Sequence, residues 1–214
     1  MSARDEILAR IGSALRDGPE APAIPRAYRR GTAMTARQRL EQLVDRLEDY
    51  KANVAVVSTE EAGATVASLL AGTARVVVPA GLPSSYLSVL QATDDDGGAP
   101  AVLIDSPQRP LTVSELDEVD AVVTGAAVAV SETGTIILDA SPDQGRRAIS
   151  LVPDRHVCVI TAEQIVEVLP EAVARLDPTR PQTWISGPSA TSDIELERVE
   201  GVHGPRTLDV VILT

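Results

Sequence analysis

The sequence predicts an α/β fold, a largely parallel sheet with helices on both faces, on three observations. Short apolar runs rich in Val and Ile recur at 54–57, 75–78, 102–104 and 120–123, and each has the length of a buried strand. Segments with helical spacing of apolar residues separate them, so strand, helix, strand is the recurring unit. A chain of 214 residues with 44% hydrophobic content buries roughly 70–75% of its unfolded surface, enough for one main core.

Taken in order, Ile7, Leu8, Ile11, Ala14 and Leu15 share one stripe of a first helix. Residues 17–33 follow, with Pro19, Pro22 and Pro25, and read as an extended connection. The division is therefore residues 1–33 as helix and Pro-rich connection, and 34–214 as the α/β domain. Arg26, Arg29 and Arg30, with Arg37 and Arg39 beyond, form a basic patch read as solvated surface. Leu40, Leu43, Val44, Leu47 and Tyr50 make a second helical stripe. Thr59 with Glu60 and Glu61, and Thr112 with Glu115, read as helix starts. Further strands are expected at 135–138, 156–160, 183–186 and 208–213, and a helix over 162–176 that Pro170 would kink or split. The run Asp94-Asp95-Asp96-Gly97-Gly98 reads as a solvated loop, since its spacing is not that of a calcium-binding loop.

Composition narrows the function. The net charge of −12 and pI near 4.6 disfavour nucleic acid and anionic membrane as partners. No apolar run approaches a spanning helix and the charged N-terminus is unlike a signal peptide, so a cytoplasmic location with no membrane span is expected. Cys158 is the single cysteine, so this chain is expected to hold no metal or cofactor of its own, and a buried, inert thiol is the natural reading of its apolar run. Dinucleotide, P-loop, zinc-protease and hydrolase-elbow motifs are all missing.

Two segments carry the candidate chemistry. Strand 120–123 ends in Thr124 and Gly125, where small residues at a strand's carboxyl end let a ligand approach the backbone. The chain then reaches Ser131, Glu132, Thr133, Gly134 and Thr135, in which Glu132, beside apolar runs, suits a partly desolvated nucleophile or general base as well as a carboxylate bracing a turn. The second segment holds Gly187, Ser189, Thr191, Ser192 and Asp193, a hydroxyl-rich turn expected to lead into a helix and so to offer donors to a phosphate or carboxylate. After it come His203, a turn residue or a catalytic one, and Arg206, a bidentate anion donor. Arg146 and Arg147 are also available as positive charge, although surface salt bridges are the favoured reading for Arg147. Glu132, the turn at 187 and His203 are expected to share one pocket.

The ordered combination Thr124-Gly125-Ala126-Ala127 to Ser131-Glu132-Thr133-Gly134-Thr135, Ser150-Leu151-Val152-Pro153 to His156, Gly187-Pro188-Ser189 to Asp193-Ile194-Glu195, and Gly201-Val202-His203-Gly204-Pro205 resembles the LUD-domain family. The resemblance spans nearly the whole chain and falls in that family's C-type lactate utilization group. It implies a Rossmann-like sheet similar to the ribose-phosphate isomerase, glucosamine-phosphate deaminase and CoA-transferase group. It also implies a part in oxidising L-lactate to pyruvate with two partners, lactate utilization proteins A and B, which would carry the iron–sulfur clusters. Ser131-Glu132-Thr133-Gly134 is similar to the Ser-Glu-Asn-Gly motif of CoA-transferases, with Thr133 in place of Asn. The alternative to a complex component is thus an enzyme using Glu132 on a CoA thioester or on a small phosphorylated or carboxylated substrate.

Overall fold

A computed structural model describes residues 2–18, 22–91, 99–191, 199–200 and 203–214. Six strands form one parallel sheet in the order β1 (Asn53–Val57), β12 (Thr207–Leu213), β7 (Arg155–Thr161), β4 (Ala121–Thr124), β2 (Arg75–Pro79), β3 (Ala101–Asp105). Val76, Val77, Val78, Val122 and Val123 are fully buried, as expected of inner parallel strands covered on both faces. The two faces separate by residue parity. Val157, Val159 and Val211 pack under α3 (Ala62–Leu69) and α4 (Ser84–Gln91), whereas Cys158, Ile160, Val210 and Ile212 pack under Leu43 and Leu47 of α2 (Ala36–Asp49). Each such buried aliphatic side chain contributes about 1.5–3 kcal/mol.

Two helix starts behave differently from one another. Thr112 caps α5 (Val113–Asp117) in a capping box with Glu115, the arrangement the sequence predicts. At α3, Glu61 rather than Thr59 is the N-cap, and its carboxylate accepts from the backbone and hydroxyl of Ser58.

The second half departs from a simple continuation of the parallel sheet. A four-stranded sheet in the order β8 (Ile165–Val166), β5 (Val128–Val130), β6 (Thr135–Leu138), β9 (Thr183–Ile185) lies on the α2 side. It is antiparallel except where β5 meets β8. Ala129, Ile136 and Leu138 face the main core, while Val128, Val130 and Ile137 pack with Val166 and Ala172 of α6 (Leu169–Arg175). The expected helix over 162–176 is therefore corrected. Thr161 and Gln164 close a capping box around a single 3-10 turn, Ile165 and Val166 pair with Ala129 and Val130, and α6 starts afresh with Pro170 in its first turn.

Helix α1 (Ala3–Ala14) has its capping box from Ser2 and Asp5 but buries no residue. Residues 22–35 lead to α2 without regular secondary structure, with Ala33 at φ +65°. The segment with Asp94, Asp95 and Asp96 lies outside the described residues.

Candidate functional site

Strands β5 and β6 are joined by the turn 131–134, which needs Gly134 at φ +60° because a Cβ there would meet Arg46 Cβ at 2.8 Å. Ser131 is fully buried and donates to Gln42 Oε1 at 2.8 Å, while the backbone N–H of Glu132 donates to Glu167 O at 3.2 Å. The Glu132 side chain itself is 36% exposed and pairs with Arg29 Nη2 at 2.5 Å. The Arg29 guanidinium holds this carboxyl below the usual glutamate range. Glu132 is thus a partly buried, paired carboxylate, because the 22–35 segment brings a cation to it from far away in sequence.

That segment is latched beside it. Glu167 accepts from the backbone and hydroxyl of Thr32 and, at 3.0 Å, from Met34 N. These amide donors keep the Glu167 carboxyl below its ordinary range. The patch residue Arg29 is thus solvated, as expected, and also an ion-pair partner.

Thr124 and Gly125 stand at the carboxyl end of β4, as expected, but they face protein. Thr124 is fully buried, with Oγ1 2.7 Å from His156 Nε2. The chain moves outward from β2 to β3 and in the opposite direction from β4 to β7, so the crevice between β2 and β4 is the topological switch point. The turn 141–145 fills that crevice, with Gly81 N donating to Pro142 O at 3.0 Å and Gly125 N to Asp143 O at 2.9 Å. A Cβ on Gly125 would lie 2.1 Å from Asp143 Oδ2, so the absent side chain makes room for this plug and not for a ligand.

A cleft of about 440 Å³ remains beyond the plug, at the ends of β2 and β3. Its two guanidiniums are committed: Arg146 donates from Nε and Nη2 to Asp105 at 2.8–3.1 Å, and Arg180 pairs with Asp139 at 3.3 Å. Positive charge there is already balanced.

The cavity with free donors lies elsewhere, near the amino ends of β7 and β12. It encloses about 250 Å³ and is walled by Arg147, Trp184, Ser186, Gly187, Ser189 and His203, with buried His156 behind. Gly187 adopts φ +86° and a Cβ would meet Tyr50 Cβ at 2.6 Å. Ser189 clamps the two sides, its N–H donating to Pro205 O at 2.8 Å and its Oγ accepting from His203 N at 3.0 Å. Arg147 is exposed and, among the described residues, makes no ion pair. Burial drives His156 down to about 4, so its imidazole is neutral at neutral pH.

A line of hydroxyls connects this cavity with the Glu132 turn. Thr133 Oγ1 is 2.8 Å from Thr135 Oγ1, which is 2.9 Å from Ser186 Oγ. Gly187, Ser189 and His203 thus share a pocket, with Thr135 one hydroxyl and Thr133 two hydroxyls from its wall. Glu132, Thr124 and Gly125 are not part of its wall, which corrects the expectation of one pocket for all of them. Arg206 donates bidentately to Asp154 at 2.6 and 2.9 Å and does not line the cavity. The helix expected after Gly187 does not begin there: Ala190 and Thr191 form strand β10, paired with β11 (Val199–Glu200). Ser192, Asp193, Ile194, Glu195, Gly201 and Val202 lie outside the described residues. Sequence reasoning passed over Trp184 and Ser186, and its favoured reading of Arg147 as a surface salt bridge is corrected: Arg147 lines the cavity and, among the described residues, makes no ion pair. The available signal was a second arginine beyond the need of Asp105, in an acidic chain.

Comparison with known proteins bears on this geometry. The LUD domain profile matches residues 40–213. The chain is 46% identical to a Deinococcus radiodurans protein called Lactate utilization protein C, across 99% of this chain and 95% of that one. It is 32% identical to an uncharacterized protein of Neisseria meningitidis serogroup B, across 100% of this chain and 93% of that one. Among solved structures it resembles a DUF162 family protein from Deinococcus radiodurans, with TM-score 0.68 and 40% identity over 85% of this chain and 99% of that chain.

Proposed function

The chain belongs to the LUD-domain family, and from that premise we propose that it is the carboxylate-binding component of a system that oxidises L-lactate to pyruvate. One observation carries the reading: Arg147, which makes no ion pair among the described residues, lines a small hydroxyl-bearing cavity on a protein of net charge −12. An acidic surface repels small anions on average, so capture of one needs a cation left unspent inside a pocket. The name of the 46% identical relative supports lactate as the carboxylate.

In this reading Arg147 receives the carboxylate and the Ser186 and Ser189 hydroxyls meet the 2-hydroxyl. His203 stands in the same wall and takes the hydroxyl proton as oxidation proceeds, after a bound state in which the 2-hydroxyl donates to Ser186. Oxidation of lactate to pyruvate also breaks the C2–H bond, releasing two electrons and a second proton that leaves to solvent. A single cysteine cannot supply the thiolates of a cluster, and burial pushes the Cys158 thiol up to about 12. The electrons therefore pass to iron–sulfur partners, lactate utilization proteins A and B, and the chain works in the cytoplasm with them.

Trp184 is the one tryptophan and sits at the cavity, so its fluorescence reports occupancy. Titration with L-lactate should give saturable quenching that Arg147→Ala weakens by at least tenfold, an effect in line with loss of a charged hydrogen bond. Co-purification of two cluster-bearing proteins, and loss of growth on L-lactate when the gene is deleted, test the system. Unaltered growth after deletion would refute it.

A further inference from the structure

The hydroxyl line Thr133, Thr135, Ser186 ends inside the cavity, and its proton count gives it a property that a lone serine lacks. Three hydroxyls carry three protons, and the two contacts at 2.8 and 2.9 Å consume two of them. The third is left for a partner outside. When Thr133 donates to Thr135 and Thr135 to Ser186, the Ser186 proton points into the cavity. When each hydroxyl rotates the other way, Ser186 donates to Thr135 and offers the cavity a lone pair. Thr135 is 7% exposed, so within the protein Ser186 is the partner that sustains either polarity.

We propose that Thr135 is a positioning residue that lets Ser186 serve as acceptor or donor, so that one cavity holds both a 2-hydroxy acid and the matching 2-keto acid. This rests on the carboxylate reading of the Arg147 cavity. A 2-hydroxyl donates to Ser186, whose own proton is then taken up by Thr135. A 2-keto oxygen accepts from Ser186, which Thr135 supports by donating in turn. Only O–H rotations separate the two states, so no bond is broken and no group has to move. The consequence is a pocket that binds substrate and product of a two-electron oxidation without rearrangement.

The test compares propionate, L-lactate and pyruvate, which share a carboxylate and differ at C2, by calorimetric titration of the full chain. Wild type should bind L-lactate and pyruvate more tightly than propionate. In Thr135→Val a hydroxyl bound to Ser186 leaves the serine proton facing a methyl group, which weakens L-lactate by about tenfold. Pyruvate should change by no more than about threefold, because Ser186 can still donate to it, and Thr135→Ser should restore the wild-type ratio. Ser186→Ala, at an exposed position that does not threaten folding, should bring both ligands to the level of propionate. Equal losses for L-lactate and pyruvate in Thr135→Val, or retained advantages over propionate in Ser186→Ala, would overturn the inference while leaving the carboxylate site standing. If wild type binds none of the three, or Arg147→Ala leaves propionate affinity unchanged, the carboxylate reading falls and the inference falls with it.

Discussion

Arg29 Nη2 lies 2.5 Å from Glu132 Oε2, although 103 residues of chain separate the two. This contact, with the Glu167 latch on Thr32 and Met34, ties the 22–35 segment to the β5–β6 turn and the end of β8. The pair is exposed, with side chains 64% and 36% accessible, so it contributes little to global stability.

Its effect should be local instead. Glu167→Gln is expected to speed tryptic cleavage after Arg26, Arg29 and Arg30 several-fold, while thermal unfolding of the domain barely moves. Both carboxyls are held below the ordinary glutamate range, so docking is fully present at neutral pH and is lost only as acidification passes below that range. Mass spectrometry of timed digests reads the outcome. Equal cleavage rates in variant and wild type would show that the latch does not hold the segment.

The plug in the sheet crevice makes a second prediction. Gly125→Ala places a Cβ 2.1 Å from Asp143 Oδ2 and should destabilise the fold by about 1–3 kcal/mol in urea unfolding. Adding Asp143→Ala removes the obstructing carboxylate but keeps the carbonyl that Gly125 N–H uses, so much of the loss should return. Burial holds the Asp143 carboxyl above its usual value, which adds to the benefit of deleting it. Additive costs within about 0.5 kcal/mol would dismiss the clash as the cause.

His156 supplies a pH dependence. Its folded value of about 4 against an ordinary 6.5 means that between these limits the unfolded chain binds the extra proton. Stability should therefore fall as pH drops from 6.5 toward 4, by up to about 3 kcal/mol, and this contribution should level off below 4. Above pH 6.5 the group contributes no slope. His156→Gln keeps a partner for Thr124 Oγ1 and should flatten the profile in this window. Parallel profiles for variant and wild type would assign the slope to other groups.

The resemblance of the chain to LUD-domain proteins was readable from ordered motifs in the sequence, and so were the parallel strands, because Val76 to Val78 or Val157 to Ile160 have no other way to be buried on both faces. The Thr112 and Glu115 box and the inert Cys158 were equally legible, since each depends on neighbours a few residues away. The split of 162–176 was not. Its apolar spacing suits a helix, and only pairing of Ile165 and Val166 with β5 turns it into a strand.

The site divides along the same line. Local sequence determined that hydroxyls cluster at 131–135 and 189–192, and that the protein is acidic enough for any unspent cation to matter. Only the tertiary structure decided which cations are spent. Arg29 goes to Glu132, Arg146 to Asp105 and Arg206 to Asp154, and Arg147 is left facing the cavity. The choice among them rests on distances between segments far apart in the chain, and electrostatic pairing falls off over a few ångströms in a way that residue order does not encode.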